Sequence, residues 1–314
     1  MEALCHAEPL SSAMKKLLSL PRICIAATGE TPEALRSCAE AALRQSRFVE
    51  LRLDGLENPS DGIPLIETLR DSSVRSAKLG RPVLQATCRR RESGGQFDGT
   101  VARQLEILDA TARAGCHLAD LEIESAEAAG LAAVSQLRGA ARLILSFHDF
   151  QATRSLEGAA RRLRRFPADY YKLVTTATRQ SDNCAVLEFL ERANATEGEA
   201  GKWIAFCMGE AGVPSRVLTL SRGGAFVYAA STSAAGVVPG SKTMDGRFPL
   251  AAPGQLDYET LQVRYRAARL TARTKLFGLL GSPVRHSVGA ALHNAAHTET
   301  AARIDRRWFM LAIR

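Results

Sequence analysis

Eight short apolar runs separated by helix-length segments constrain this chain more than any other feature. They lie at 22–27, 48–53, 82–87, 117–123, 143–147, 170–174, 203–207 and 225–229. Between most of them the apolar residues recur with helical period, as in Thr31–Arg47 and Thr100–Ala114. ThrPro opens the first of these as N-cap and first helical residue. Eight strand–helix alternations over about 230 residues predict an α/β fold, a (β/α)8 barrel. Residues 1–20 then form an N-terminal extension and 21–273 the barrel, its last helix running over Asp257–Arg273. Chemistry in such a barrel sits at the C-terminal ends of the strands.

Two of those ends carry a matched pair. His148 ends the run LeuIleLeuSerPheHisAsp, and Lys172 lies in TyrTyrLysLeuVal one strand–helix unit later. Only seven of the 41 basic side chains are lysines, so a lysine in an apolar strand stands out. An amine beside an imidazole suits imine chemistry: the amine attacks a carbonyl and the imidazole moves protons. Glu50 and Arg52 alternate on the second strand, Asp120 and Glu122 on the fourth, and Arg89 and Arg216 follow the third and seventh. Such an inward ring is expensive to bury unless paired. Salt bridges filling a barrel are one explanation; a site for a polar anion clamped by guanidinium is the other.

The formal net charge of +8 is compatible with nucleic acid, an anionic substrate or an Arg-rich solvated surface. The densest run, ArgArgLeuArgArg at 161–165, falls on an amphipathic helix beginning near Ser155 and reads as a solvated face. No aromatic residues interleave with the basic ones as a stacking platform requires. Neither nucleic acid nor membrane is expected as a partner, since no apolar run approaches the roughly 20 residues of a membrane helix. The acidic N-terminus lacks the basic opening of a signal peptide. Seven scattered cysteines without a CxxC pair read as reduced thiols in a cytoplasmic protein and offer no metal site.

The stretches 22–33, GluLeuArgLeuAsp (50–54), ThrCysArg…GlyGly (87–95) and AspLeuGluIle (120–123) recur in one family. So do SerPheHisAspPhe (146–150), TyrTyrLysLeuVal, MetGly…GlyValProSerArg (208–216) and AlaAlaProGlyGln (251–255). Over residues 20–270 the chain resembles type I 3-dehydroquinate dehydratase. The resemblance implies a shikimate-pathway lyase that removes water from 3-dehydroquinate without a cofactor, through a lysine Schiff base. It makes Lys172 the Schiff-base former, His148 the general acid/base and Glu122 the group that orients the histidine. Glu50, Arg52, Arg89 and Gln255 become substrate contacts, Arg216 the carboxylate clamp, and Met208 and Phe226 apolar pocket walls. The partner is then the small molecule 3-dehydroquinate, with a homodimer left open.

The pattern departs from the family at three places. Ser93 stands where the family has a glutamate before GlyGly; either Glu92 substitutes through a shifted loop or that contact is lost. The segment 231–250 is longer than usual where the lid lies, and Ala251 replaces a serine. These departures motivate an alternative reading, a binding or regulatory module without turnover. A different Schiff-base barrel, such as an aldolase, is disfavoured by the flanking motifs.

From Thr274 the pattern changes to a fresh strand and the turn SerProValArgHisSer (282–287). This stretch resembles the opening of shikimate dehydrogenase, with Gly289 replacing that family's second serine. The resemblance implies an incomplete substrate domain over 274–314. NADP is not expected, because that family's nicotinamide-binding part would lie beyond residue 314.

Overall fold

The computed structural model describes residues 20–71, 80–231, 254–280, 287–289, 292–294, 296 and 308–313. The expected lid at 231–250 lies, apart from Ser231, outside the described residues.

All eight predicted strands form: β1 (Ile23–Ala27), β2 (Phe48–Arg52), β3 (Val83–Thr87), β4 (Leu118–Glu122), β5 (Arg142–His148), β6 (Tyr170–Thr176), β7 (Trp203–Met208) and β8 (Val227–Ala230). Every adjacent pair from β1 to β7 is parallel, and β8 returns to pair with β1. Between β7 and β8 the Ala225 N–H donates to the Trp203 carbonyl at 2.8 Å. The result is a nearly closed (β/α)8 barrel.

Among the described residues seven helices surround it: α1 (Pro32–Leu43), α2 (Ile63–Asp71), α3 (Val101–Arg113), α4 (Ile123–Ala140), α5 (Leu156–Leu163), α6 (Ser181–Ala195) and α7 (Val213–Leu218). Thr31 caps α1 by accepting from the Ala34 N–H, and Thr100 caps α3 by accepting from the Arg103 N–H. One apolar cluster fills the shell between strands and helices, with Leu51, Leu84, Leu121, Leu145 and Leu173 from the outward faces. A second fills the barrel interior, with Phe48, Leu118, Ile144, Ile204 and Phe226.

After β8 the chain departs from expectation. The single closing helix predicted over 257–273 is instead a π-helical segment, Thr260–Arg264, followed by a 3-10 turn, Ala267–Arg269. Arg266, with φ of 50°, stands between them in the left-handed region and stops helical continuation. Arg22, at the foot of β1, clasps this segment. Its guanidinium donates to the carbonyls of Leu220 (2.5 Å), Ala268 (2.9 Å) and Leu270 (3.4 Å). Beyond the barrel, β9 (Lys275–Leu280) pairs in parallel with β10 (Trp308–Ile313) in a separate two-stranded sheet.

Side chains on a strand alternate between faces, so residues two apart share a face at different depths. In a barrel of this type alternate strands contribute layers of four. The even-numbered strands supply Phe48, Leu118, Tyr170 and Phe226 at the N-terminal end. Next come Glu50, Asp120, Lys172 and Tyr228, then Arg52, Glu122, Val174 and Ala230 at the mouth. The lowest layer is an aromatic plug: Phe226 meets Phe48 at 4.9 Å and Tyr170 at 5.5 Å, both edge-on. The middle layer is where chemistry begins.

Candidate active site

Lys172 is 4% exposed, and its Nζ donates to Asp120 Oδ2 at 3.0 Å. The same ammonium lies 4.1 Å from the centre of the Tyr228 ring. Its direct partners are thus a carboxylate and a ring face. Asp120 also accepts from Ser146 (2.6 Å) and Arg89 (3.3 Å). Burial alone would raise its pKa, but Lys172 and Arg89 hold the carboxyl below its usual range.

Ser146 sits directly opposite Lys172 in the β5–β6 register, and His148 ends the same strand two residues on. The His148 Nε2 meets an Arg89 Nη at 3.0 Å. Guanidinium can only donate, so Nε2 accepts and the ring proton of the neutral imidazole belongs on Nδ1. That nitrogen is buried and has no hydrogen-bond partner among the described residues. Burial, and then the charges of Arg89, Lys172 and Arg52, push the His148 pKa well below its ordinary value. The imidazole is therefore neutral at pH 7. Phe150 stacks on it at 5.9 Å.

The expected placement of Glu122 against His148 is not what forms. Its Oε2 accepts from Gln104 of α3 at 2.6 Å, and its Oε1 lies 3.4 Å from Arg89 Nε. Glu122 thus touches the arginine that touches the histidine. Its own pKa is raised by burial, against the pull of Arg89.

Arg52 forms a two-pronged pair with Asp54 at 2.9 and 2.7 Å, and Asp54 also accepts from the Gln96 N–H at 3.2 Å. One buried carboxylate thereby ties the end of β2 to the loop after β3. In that loop Gly94 adopts φ of 81°, and any Cβ there would meet the Phe150 ring at 2.2 Å. Glu92 does not take up the role of the missing family glutamate. It is exposed, pairs with Arg90 at 3.0 Å and is absent from the cavity lining described below.

Arg216 is 1% exposed, with its guanidinium 4.5 Å over the Phe206 ring. Ser215 anchors its helix: Oγ accepts from the Cys207 N–H at 2.9 Å and donates to the Gly212 carbonyl. Burial lowers the Arg216 pKa to about 10, which leaves it charged at neutral pH. Gly254 comes so close to Gly209 that an added Cβ would lie 2.3 Å from its carbonyl oxygen, and this approach delivers Gln255 to the site.

These groups surround a cavity of about 490 Å³. It is lined by Glu50, Arg52, Arg89, His148, Lys172, Met208, Arg216 and Gln255 of the expected set, together with Gly94, Phe150, Val174, Phe206 and Tyr228. A concave site with a few converging charged groups suits a small polar molecule. Phe226 is absent from the lining. It belongs to the aromatic plug two residues below Tyr228, so the wall assigned to it is formed by Tyr228 and Phe206. Among the described residues no group of His, Cys, Asp and Glu is arranged to hold a metal ion, and no helix is long and apolar enough to cross a membrane.

Comparison with known proteins gives the family and the fold. The profile of the Type I 3-dehydroquinase family matches residues 23–271. A 3-dehydroquinate dehydratase of Dehalococcoides mccartyi is 33% identical over 239 residues, covering 74% of this chain and 93% of the relative. The bifunctional 3-dehydroquinate dehydratase/shikimate dehydrogenase of Arabidopsis thaliana is 28% identical over 252 residues, covering 79% of this chain but 37% of the relative. The solved type I 3-dehydroquinate dehydratase of Clostridium difficile, covalently modified by comenic acid, superposes with a TM-score of 0.62 at 19% identity, covering 79% and 91% of the two chains. The dehydroquinate dehydratase and shikimate dehydrogenase structure from S. pombe gives 0.61 at 20% identity, covering 96% of this chain and 53% of that one. At these identities the two structures speak to the fold.

Proposed function

The chain belongs to the type I 3-dehydroquinase family and is a 3-dehydroquinate dehydratase, a hydro-lyase; we propose that Lys172 is its Schiff-base residue and His148 its proton carrier. The family acts through a covalent imine and needs no cofactor. One observation carries the assignment: a single buried lysine projects into a small-molecule cavity between a carboxylate and a ring face, with a neutral histidine at its rim.

Arg216 binds the substrate carboxylate, and Glu50, Arg52 and Gln255 meet the hydroxyl face. The deprotonated Lys172 amine attacks the ketone, and loss of water from the adduct gives a protonated imine. This imine withdraws electrons and makes the neighbouring C–H acidic. His148 Nε2, released by Arg89, removes that proton and returns it to the departing hydroxyl. Arg89 is held between Asp120 and Glu122, so Glu122 acts on the histidine through it. Hydrolysis of the imine then frees the product and restores Lys172. General acid/base work of this kind contributes about 10²–10⁴-fold.

Borohydride reduction in the presence of 3-dehydroquinate, followed by peptide mass mapping, tests the assignment. The expected adduct sits on Lys172 and is missing from Lys172→Ala, which has no detectable turnover. An adduct on any other lysine would end the proposal.

We assign residues 274–314 to the opening of a second, shikimate dehydrogenase-like substrate domain. The motif at 282–287 and the relation to bifunctional proteins support this, as does a parallel sheet separate from the barrel. Proteolysis near 271–274 should then release a barrel that keeps full dehydratase activity. We further place the enzyme in the cytoplasm, a location compatible with the six described cysteines, all of them free.

A further inference from the structure

Gln85 of β3 is fully buried and does not line the cavity, so no step described above uses it. Yet its amide joins two groups that do line the cavity. Register sets it directly beside Glu50, and its Nε2 donates to Glu50 Oε1 at 3.0 Å and to Thr87 Oγ at 3.2 Å. Thr87 Oγ in turn donates to the same Glu50 oxygen at 2.7 Å. From across the barrel the Tyr228 hydroxyl donates to Gln85 Oε1 at 3.1 Å. A carboxylate only accepts, so the amide must face Glu50 with its nitrogen, leaving its oxygen for the phenol. Burial, with Glu50 and Asp120 nearby, pushes the Tyr228 pKa well up, so the phenol stays a donor. Tyr228 is the ring on which Lys172 lies.

We propose that Gln85 is a positioning residue for imine formation: it fixes Glu50, on the substrate side, and the Tyr228 ring, beneath the attacking amine, in one hydrogen-bonded unit. The proposal rests on Lys172 being the Schiff-base residue. Small displacements of reacting groups are enough to matter, since a shift of about 1 Å in a near-attack arrangement can lose about 10² in rate.

Gln85→Leu, Tyr228→Phe and the double variant separate positioning from simple stability. Removing Gln85 alone strands the buried phenol donor, so the melting temperature falls. Removing both partners relieves that penalty, and it recovers in part, the Glu50 carboxylate still lacking the Gln85 donor. Positioning predicts a different pattern for the rate of borohydride-trapped adduct formation on Lys172. That rate falls about tenfold or more in Gln85→Leu and stays low in the double variant despite its partly recovered melting temperature. A double variant that regains the wild-type trapping rate as its stability recovers overturns the proposal, as does a Gln85→Leu protein that traps at the wild-type rate. Wild-type protein that forms no adduct at all would instead overturn the Lys172 assignment, and the proposal with it.

Discussion

The two ends of this barrel are built by the same strands from opposite chemistry, and each holds a histidine that the fold keeps neutral. At the mouth, His148 has one ring nitrogen against Arg89 and the other without a hydrogen-bond partner among the described residues. At the foot, just before β4, His117 has its Nδ1 filled by the Leu84 N–H at 3.1 Å, while its backbone N–H donates to the Leu84 carbonyl. Burial, then Arg70, Arg142 and Arg47, lower the His117 pKa to about 4. A depressed pKa therefore does not identify a catalytic histidine. What distinguishes the two is position: His148 lines the cavity that holds Lys172, and His117 does not.

The largest expected difference between the ends is kinetic. His148→Ala should lose about 10²–10⁴ in kcat with little change in melting temperature. A variant retaining most of its activity would break the contrast. The aromatic plug should answer in reverse: Phe226→Ala should destabilise the barrel by about 3–5 kcal/mol in urea unfolding while leaving KM unchanged. A rise in KM out of proportion to kcat would return Phe226 to the pocket.

Arg216→Ala should act mainly on binding, raising KM about 10- to 100-fold, as expected when a charged hydrogen bond is lost. An unchanged KM would remove the clamp from Arg216. The smallest effect concerns pH. The unfolded chain protonates His117 near 6.5, whereas the folded chain does so only near 4. Stability contributed by the neutral form is thus present above 6.5 and lost as the pH falls toward 4. The loss is about tenfold in the folding constant per pH unit and per histidine. His117→Asn keeps an acceptor for Leu84, so its unfolding midpoint between pH 7 and 5 should depend less steeply on pH.

Much of this could be read from the sequence because its signals are periodic. Lys172 and His148 lie one strand–helix unit apart, and neighbouring parallel strands bring that spacing to one end of the barrel. Depth within the barrel is a different matter. Phe226, just before β8, and Tyr228 on it are two residues apart, and alternation cannot say which of them reaches the cavity; only the layer beneath, closed by Phe48 and Tyr170, decides it. Asp120 and Glu122 pose the same problem on β4. The first reaches Lys172, and the second turns to Gln104 on a helix whose register no strand pattern reveals. Gln85 was hidden for another reason: its partners Glu50 and Tyr228 lie 35 and 143 residues away along the chain. The closing helix failed because an unbroken helical pattern does not anticipate a left-handed residue at Arg266.

The clasp made by Arg22 has a consequence in time. Its acceptors on Ala268 and Leu270 stand 246 and 248 residues downstream. On the ribosome, at about 5–20 residues per second, the first strand waits on the order of tens of seconds for the segment that locks it. Until β8 is made, the edge of β1 stays open; the clasp then locks the foot of the strand only after that pairing has become possible.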